Sequence, residues 1–589
     1  MSERIKVSDY VAQFLKAKGV KYVFGLQGGA VVHLFDSIDK TPGIQTVFPH
    51  HEQCAALAAV SYGRVSENIG AVIVTTGPGS TNALTGLLAA WQDSIPCIFI
   101  SGQTRKEHTS YGKKVRQVGT QELNIVDIVK PITKYAKFIS SAPEIEDELE
   151  RAYQISIAGR PGPVWIDLPV NIQWEKFEPR RGVPAAPAPR AKAPARDFSD
   201  VADMLRGASK PLVYAGHGIR SAKAAGRFGD FVARTGIPFV TTWTAADLVP
   251  TAHPLNTGIV GLTGQRGANK AVHAADVLLV LGSHLAIPQT STLFDQFAPQ
   301  ARKIVVNIDK DQLENLNMKV DLAVAADVNS FFEWCADRPL KTAMGKPWLD
   351  ECKVFKKMNS VESGLKAQKA RTSRGMNSYV FNDLMTRALP AGVCIVVDGG
   401  GTALYTGFQS STIKKNQRIV CSATMSSMGT GLAESIGACF ANRKRLTSCI
   451  IGDGSFLMNV QDLQPIFHHR LPIKIFIMNN SGYLAIRHTQ TTFLGKRYVG
   501  CDAEGGLTFP SIRKVAGAFR IPYFRVAAES AAKATIGKVL KSPGPAICEV
   551  IVPADQEMLF KQGYRRNNDG TFAPMSLAEM WPYTETQAG

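Results

Sequence analysis

Short, almost purely apolar runs recur along this chain, and each stops at a glycine, a proline or a small polar residue. Early in the chain they fall at 22–26, 71–75, 96–101 and 164–168. Stretches with apolar residues at helical spacing lie between them, the alternation expected of strands buried on both faces of a parallel sheet and joined by crossover helices. The same grammar returns at 211–215, 277–281 and 303–308, and again at 394–397, 446–451 and 473–478. The expected fold class is α/β, with three parallel-sheet domains.

Between the first two patterns lies RRGVPAAPAPRAKAPAR, whose alanine and proline predict an extended, semi-rigid linker. The expected organisation is an N-terminal domain over 1–178, the linker over 179–198, a central domain over 199–345, a charged helix and linker over 346–374, a third domain over 375–552 and a tail over 553–589. A chain of 589 residues, 45% hydrophobic and 20% charged, can fill three such cores. The start, MSERIK, leads into an amphipathic pattern rather than an apolar core with a small-residue cleavage site. No apolar run reaches the ~20 residues of a spanning helix, so a cytoplasmic protein with no membrane partner is expected. Ten cysteines without a C-x-x-C pair match neither a zinc site nor a disulfide framework. Part of the net charge of +18 is local, since Arg180, Arg181, Arg190, Lys192 and Arg196 crowd the linker. With no aromatic-interleaved basic motif, the charge reads as a solvated surface attractive to anionic small molecules, not as a nucleic-acid site.

The third pattern carries the sharpest chemistry. The run 446–451 ends in Gly452-Asp453-Gly454-Ser455, a helical stretch 461–469 follows, and the run 473–478 ends in Asn479-Asn480. A strand, helix, strand crossover puts both polar motifs at the carboxyl ends of neighbouring parallel strands, where open α/β sheets bind ligands. Asp453 offers a carboxylate, Asn480 an amide oxygen and the turn beyond it the Gly482 carbonyl. Mg²⁺ prefers such hard oxygens and completes its shell with phosphate oxygens. Gly452 and Gly454 allow the backbone close to a diphosphate. GDG alone is a common turn; its separation of 27 positions from the second asparagine makes it specific.

GDG followed at that distance by NN at a strand end resembles the thiamine-diphosphate signature of the acetolactate synthase and pyruvate decarboxylase superfamily. The resemblance implies thiamine diphosphate and Mg²⁺ as cofactors, held between the first domain of one subunit and the third domain of another. A homodimer or homotetramer follows. Phe48-Pro49-His50-His51-Glu52-Gln53 is similar to the family's H-E-Q motif, so Glu52 would contact the aminopyrimidine N1′ and drive deprotonation of the thiazolium C2. A carboxylate in an apolar interface suits that task. Met428, in Ser426-Ser427-Met428-Gly429, matches the wedge that keeps the cofactor bent. Gly400, Gly401 and Thr402, after the strand 394–397, resemble the loop at the far end of the diphosphate. Ser426, Ser455, Tyr483 and Leu484 complete the implied cofactor contacts. Three stretches resemble acetolactate synthases in particular: 25–30, 76–82 and 119–122. They place Gln121 against the reacting intermediate, and Gly28 with Gly29 beside the thiazolium, where a side chain would not fit. His33, His50 and His51 are left as pocket or structural residues, with His51 nearest the cofactor.

Past Asn480 the chain departs from that family. His488-Thr489 stand where acetolactate synthases carry a Gln-Trp pair whose indole helps select the acceptor. The stretch is more similar to enzymes that attach a two-carbon unit to a keto sugar, and Arg487 or His488 would meet an anionic or hydroxylated acceptor. The central domain has Ala215-Gly216-His217-Gly218, Leu281-Gly282-Ser283-His284 and Asn307-Ile308-Asp309 in suitable places for FAD. The arginine and aspartates expected after Leu281-Gly282 are replaced by Ser283-His284-Leu285-Ala286, so FAD and a nucleotide-free domain both stand as readings. The implied reaction joins a decarboxylated 2-oxo acid donor to a carbonyl acceptor. The alternatives are a simple decarboxylase, a C–C bond hydrolase or oxidase, and a non-catalytic paralogue.

Overall fold

A computed structural model describes residues 4–180, 196–338, 340–367 and 375–581. Most of the expected linker, 181–195, lies outside the described residues, as do 368–374 and the end of the tail. The three domains are each a six-stranded, wholly parallel sheet with helices on its faces. The N-terminal sheet runs Gln45–Val47, Tyr22–Gly25, Gly70–Val74, Cys97–Gln103, Pro163–Pro169 and Tyr135–Phe138. The C-terminal sheet runs Arg418–Val420, Cys394–Val397, Thr447–Gly452, Ile473–Asn479, Ala546–Ile551 and Tyr523–Val526, the same order when strands are counted within each domain. The central sheet differs: Asn256–Ile259, Phe239–Thr241, Pro211–Ala215, Val277–Leu281, Arg302–Asn307 and Leu322–Ala325, the doubly wound order with its switch point between the third and fourth of these.

The strands are legible because both faces are buried: Val72, Ile73 and Val74, like Ile450 and Ile451, are fully enclosed. The expected helix 461–469 is a 3₁₀ turn, Val460–Asp462, followed by the α-helix Leu463–His468. The tail is ordered where described. Tyr564–Arg566 and Phe572–Pro574 pair antiparallel, and Leu559, Phe560 and Met580 bury against Tyr379. No helix among the described residues is long and apolar enough to cross a membrane. The ten cysteines are free and buried.

The outer domains share one core. The helix Glu52–Ser66 is largely alanine on the face that meets Thr430–Ala441. A Cβ on Gly437 would stand 1.9 Å from the Ala58 carbonyl oxygen, so only glycine permits this approach. The Ser61 hydroxyl donates to the Glu434 carbonyl at 2.7 Å. Rising numbers on one helix meet falling numbers on the other, so the pair is antiparallel. Arg418 extends the junction to all three domains, donating to the Arg64 carbonyl and pairing with Asp247, which also holds Arg220.

Glu434 lies in this seam. Burial pushes its carboxyl up to about 7, against the Ser422 hydroxyl donating to Oε1 and the nearby Arg64. A carboxyl whose folded pKa is raised stabilises the fold fully below its unfolded value and loses that contribution as pH rises through the folded value. Glu434→Gln should therefore flatten the decline in thermal stability between about pH 4.5 and 7, a difference of about 3 kcal/mol for a shift of this size. Scanning calorimetry across that range checks it; parallel profiles for the two proteins would exclude this group as the cause.

Candidate functional site

Two clusters form at the carboxyl edges of the outer sheets. In the C-terminal domain Thr447–Gly452 and Ile473–Asn479 are adjacent and in register, Gly452 opposite Met478, so Asp453 and Asn480 leave the sheet side by side. Asp453 is 3% exposed and accepts the N–H of Gly454 at 2.9 Å and of Gly482 at 3.2 Å. Burial, opposed by those N–H groups, raises its pKa to about 6. Asn480 Oδ1 accepts from Arg487 at 3.1 Å, and its amide faces the Thr402 hydroxyl at 3.5 Å.

Met428 joins this cluster to the glycine-rich loop. Its side chain lies 3.4 Å from where a Cβ would stand on both Gly400 and Gly454. Ser455 Oγ would be 2.4 Å from a Gly400 Cβ, and the Tyr483 ring 2.2 Å from a Gly454 Cβ, so both loops close in only as glycine. Leu484 is buried behind them, and the helix Gly401–Ser410 starts from the loop. Asp398, at the start of this loop, is fully buried and accepts the N–H of Gly400 at 2.8 Å and of Gly431 at 2.9 Å. Burial raises its pKa, while Ser455 and those N–H groups oppose the rise. The signal for it is positional: it follows an apolar strand end as Asp453 does. Ser426, at φ 49°, spends its hydroxyl on the Ala423 carbonyl.

The second cluster belongs to the N-terminal domain. Glu52 opens its helix, and Asn82 Nδ2 donates to its Oε2 at 3.0 Å. A Cβ on Gly79 would lie 3.4 Å from Glu52 Oε1 and 2.7 Å from Thr75, while a Gly28 Cβ would lie 2.6 Å from Thr75. Gly28 therefore has a reason for being glycine within its own domain, and the open position is Gly29, where a Cβ meets nothing within 4 Å. Gln121, at φ 59°, is exposed and anchored by the Thr76 hydroxyl donating to its carbonyl. Asn82 lies in the family-like stretch 76–82, which gave it no role, and Thr75 falls just outside that stretch; the roles of both arise from folding. His51 Nδ1 accepts the Gln53 N–H and caps the helix, while His33 stacks on Trp174.

Within one chain the two clusters do not meet. From the contacts Ala58–Gly437 and Ser61–Glu434, Glu52 and Met428 lie at opposite ends of the antiparallel pair, about 20 Å apart at 1.5 Å per residue.

The residues fit a diphosphate and a hard cation. No group of three or more His, Cys, Asp or Glu side chains gathers among the described residues. One buried carboxylate, one amide oxygen and a backbone carbonyl form the partial set that Mg²⁺ completes with phosphate oxygens. At the switch point of the central sheet Gly216 N–H meets Leu281 O and Gly218 N–H meets Gly282 O, both at 2.8 Å. The cavity beside it, lined by Arg160, His217, Ser283, His284 and Gln289, shares His217, Ser221 and Asp327 with a neighbouring cavity of about 1100 Å³.

Two expectations for the acceptor side change. Arg487 is turned inward, donating to the Asn480 carbonyl at 3.1 Å and the Ser481 carbonyl at 2.8 Å, with Asp502 at 3.6 Å. His488 Nε2 meets the Gln556 carbonyl at 2.9 Å. Both are spent on the chain itself.

The chain matches three family models in order: the thiamine pyrophosphate enzyme N-terminal TPP binding domain over 5–128, the central domain over 198–334 and the C-terminal TPP binding domain over 399–550. It is 28% identical to the acetolactate synthase isozyme 1 large subunit of Escherichia coli K12, covering 94% of this chain and 95% of that protein. It is 30% identical to acetolactate synthase 1, chloroplastic, of Zea mays, covering 94% and 86%. With models spanning all three domains and relatives aligned almost end to end, the chain belongs to the thiamine pyrophosphate enzymes and is an acetolactate synthase-like enzyme.

Proposed function

We propose that this enzyme decarboxylates a pyruvate-like 2-oxo acid with Mg²⁺ and thiamine diphosphate and transfers the acyl unit to a carbonyl acceptor larger than pyruvate, of the keto-sugar class. The observation that carries the reading is the meeting of Met428 with Gly400 and Gly454 beside the buried Asp453 and Asn480. When bound, the cofactor supplies the acidic carbon and electron sink that loss of CO₂ requires. Asp453, Asn480 and the Gly482 carbonyl hold the cation, and the N–H groups opening Gly401–Ser410 stabilise phosphate charge. Met428, backed by two glycine loops, orients the ring system. Glu52, oriented by Asn82, holds and returns a proton at the pyrimidine nitrogen. Gln121 and the open side of Gly29 face the reacting carbons. Thr489, in place of a tryptophan, leaves space on the acceptor side.

The working unit in this reading is at least a dimer. Glu52 stands about 20 Å from its own chain's cradle, so a second copy brings its Glu52 to Met428. Exposed Phe48, Val115 and Val118 flank the Glu52 and Gln121 segments, as an uncovered interface would.

Glu52→Gln should keep cofactor binding, read by tryptophan fluorescence, yet lose CO₂ release from pyruvate about 100-fold or more; full activity would remove Glu52 from the chemistry. Mixing inactive Glu52→Gln with inactive Asp453→Ala under subunit exchange should restore roughly a quarter of wild-type activity, because half the dimers are mixed and each has one intact site. No recovery despite confirmed exchange would place the site within one chain. Labelled pyruvate incubated with 2-oxo acids and nucleotide-linked keto sugars, with products identified by mass spectrometry, tests the acceptor class; transfer to pyruvate alone would sink it.

A further inference from the structure

A groove of about 1270 Å³ opens at Asn480 and runs between the helix Leu484–Phe493 and the C-terminal segment beyond 553. It is several times larger than a two- or three-carbon substrate needs. Thr489, Thr491, Thr492 and Tyr498 line it with hydroxyl groups, and Lys561 and Tyr564 come from the tail.

Its charges are unequally committed. Arg487 is held by three backbone carbonyls and Asp502, and His488 by the Gln556 carbonyl. Lys496 sits exposed at the surface. Lys561 is different: it is half-buried, and its Nζ makes no hydrogen bond or ion pair among the described residues. Glu557 lies near enough to be felt electrostatically without pairing, while burial lowers the lysine's pKa. A half-buried ammonium without a partner is costly unless an anion arrives. The chain keeps the segment in place by backbone pairing of Lys561 with Trp581 and by the Phe493 ring against Tyr564 and Phe572.

We propose that this groove binds the part of the acceptor remote from its carbonyl, that this part is hydroxylated and carries a phosphate, and that Lys561 receives the phosphate. The inference rests on the carboligase reading and deepens it by moving acceptor recognition from the helix, where Thr489 has no indole, to the tail. Lys561 is then a specificity residue: it meets the acceptor and takes no part in donor decarboxylation.

The test uses the full chain loaded with Mg²⁺ and thiamine diphosphate, so that the cofactor's own phosphate site is filled. Uridine diphosphate and glucose 6-phosphate are titrated by calorimetry, the two arms separating a nucleotide-linked from a simple phosphorylated acceptor. At least one should bind wild type, bind Lys561→Met about tenfold or more weakly, and recover with Lys561→Arg, while slow CO₂ release from pyruvate alone is unchanged in both variants. Equal binding by wild type and Lys561→Met, or binding of neither probe to wild type, overturns the inference. Absence of CO₂ release from wild type both with and without a carbonyl acceptor would instead strike the carboligase reading, so the two failures are distinct.

Discussion

The contact on which the rest of the structure depends is the antiparallel packing of Glu52–Ser66 on Thr430–Ala441. Gly437 and Ala58 touch backbone to backbone, and the alanines around them let the helices approach closely enough for the outer domains to share one core. That register fixes where the two clusters lie. Because Glu52 and Met428 both stand at helix N-termini, antiparallel packing separates them by the length of the pair. A parallel arrangement would have joined them within one chain. The assembly requirement is thus a consequence of helix direction, and Arg418, bonded to the carbonyl end of the first helix and to Asp247, fixes it against the central domain.

The outer sheets have the same strand order and put their functional residues at the same edge, yet they supply different chemistry. One offers a carboxylate, an amide and an open glycine; the other offers a buried carboxylate, glycine loops and a thioether. Both hold non-glycine residues with positive φ at the working edge: Gln121 in one, Ser426 and Ser481 in the other. Such conformations cost of order 1 kcal/mol or more and persist only where neighbours fix them. Here the neighbours are identifiable: Thr76 and a crowded Gly77 at Gln121, the Ala423 carbonyl at Ser426, and the Asn479 side chain at the Ser481 N–H.

What was legible in the sequence divides along physical lines. Pro211–Ala215, Val277–Leu281 and Cys394–Val397 are found where the apolar runs put them, because strands buried on both faces write continuous apolar sequence. The edge strands Gln45–Val47 and Arg418–Val420 and the inner strand Phe239–Thr241 are three residues long, too short to carry a period. The strand-end motifs were readable because one turn carries several of their atoms. The roles of Asn82, inside the family-like stretch 76–82, and of Asp462 were not, since their partners Glu52 and His50 come from other elements. Arg487 and His488 were misjudged for a related reason: charge type is visible in sequence, while direction is decided by the carbonyls that fold around it.

Those carbonyls also explain Gly482. A Cβ there would stand 2.2 Å from Arg487 Nη2 and 2.2 Å from the Cys501 carbonyl oxygen, so the glycine and the arginine form one device. The guanidinium gathers the Asn480, Ser481 and Ala554 carbonyls and the Asn480 side chain, and Asp502 balances its charge. Several oxygen acceptors offset the cost of burying this cation. The loop beyond the strand is therefore shaped by a cation that belongs to the chain. The Gly482 N–H stays on Asp453, so the same turn orients the carboxylate and the amide oxygen at the strand ends.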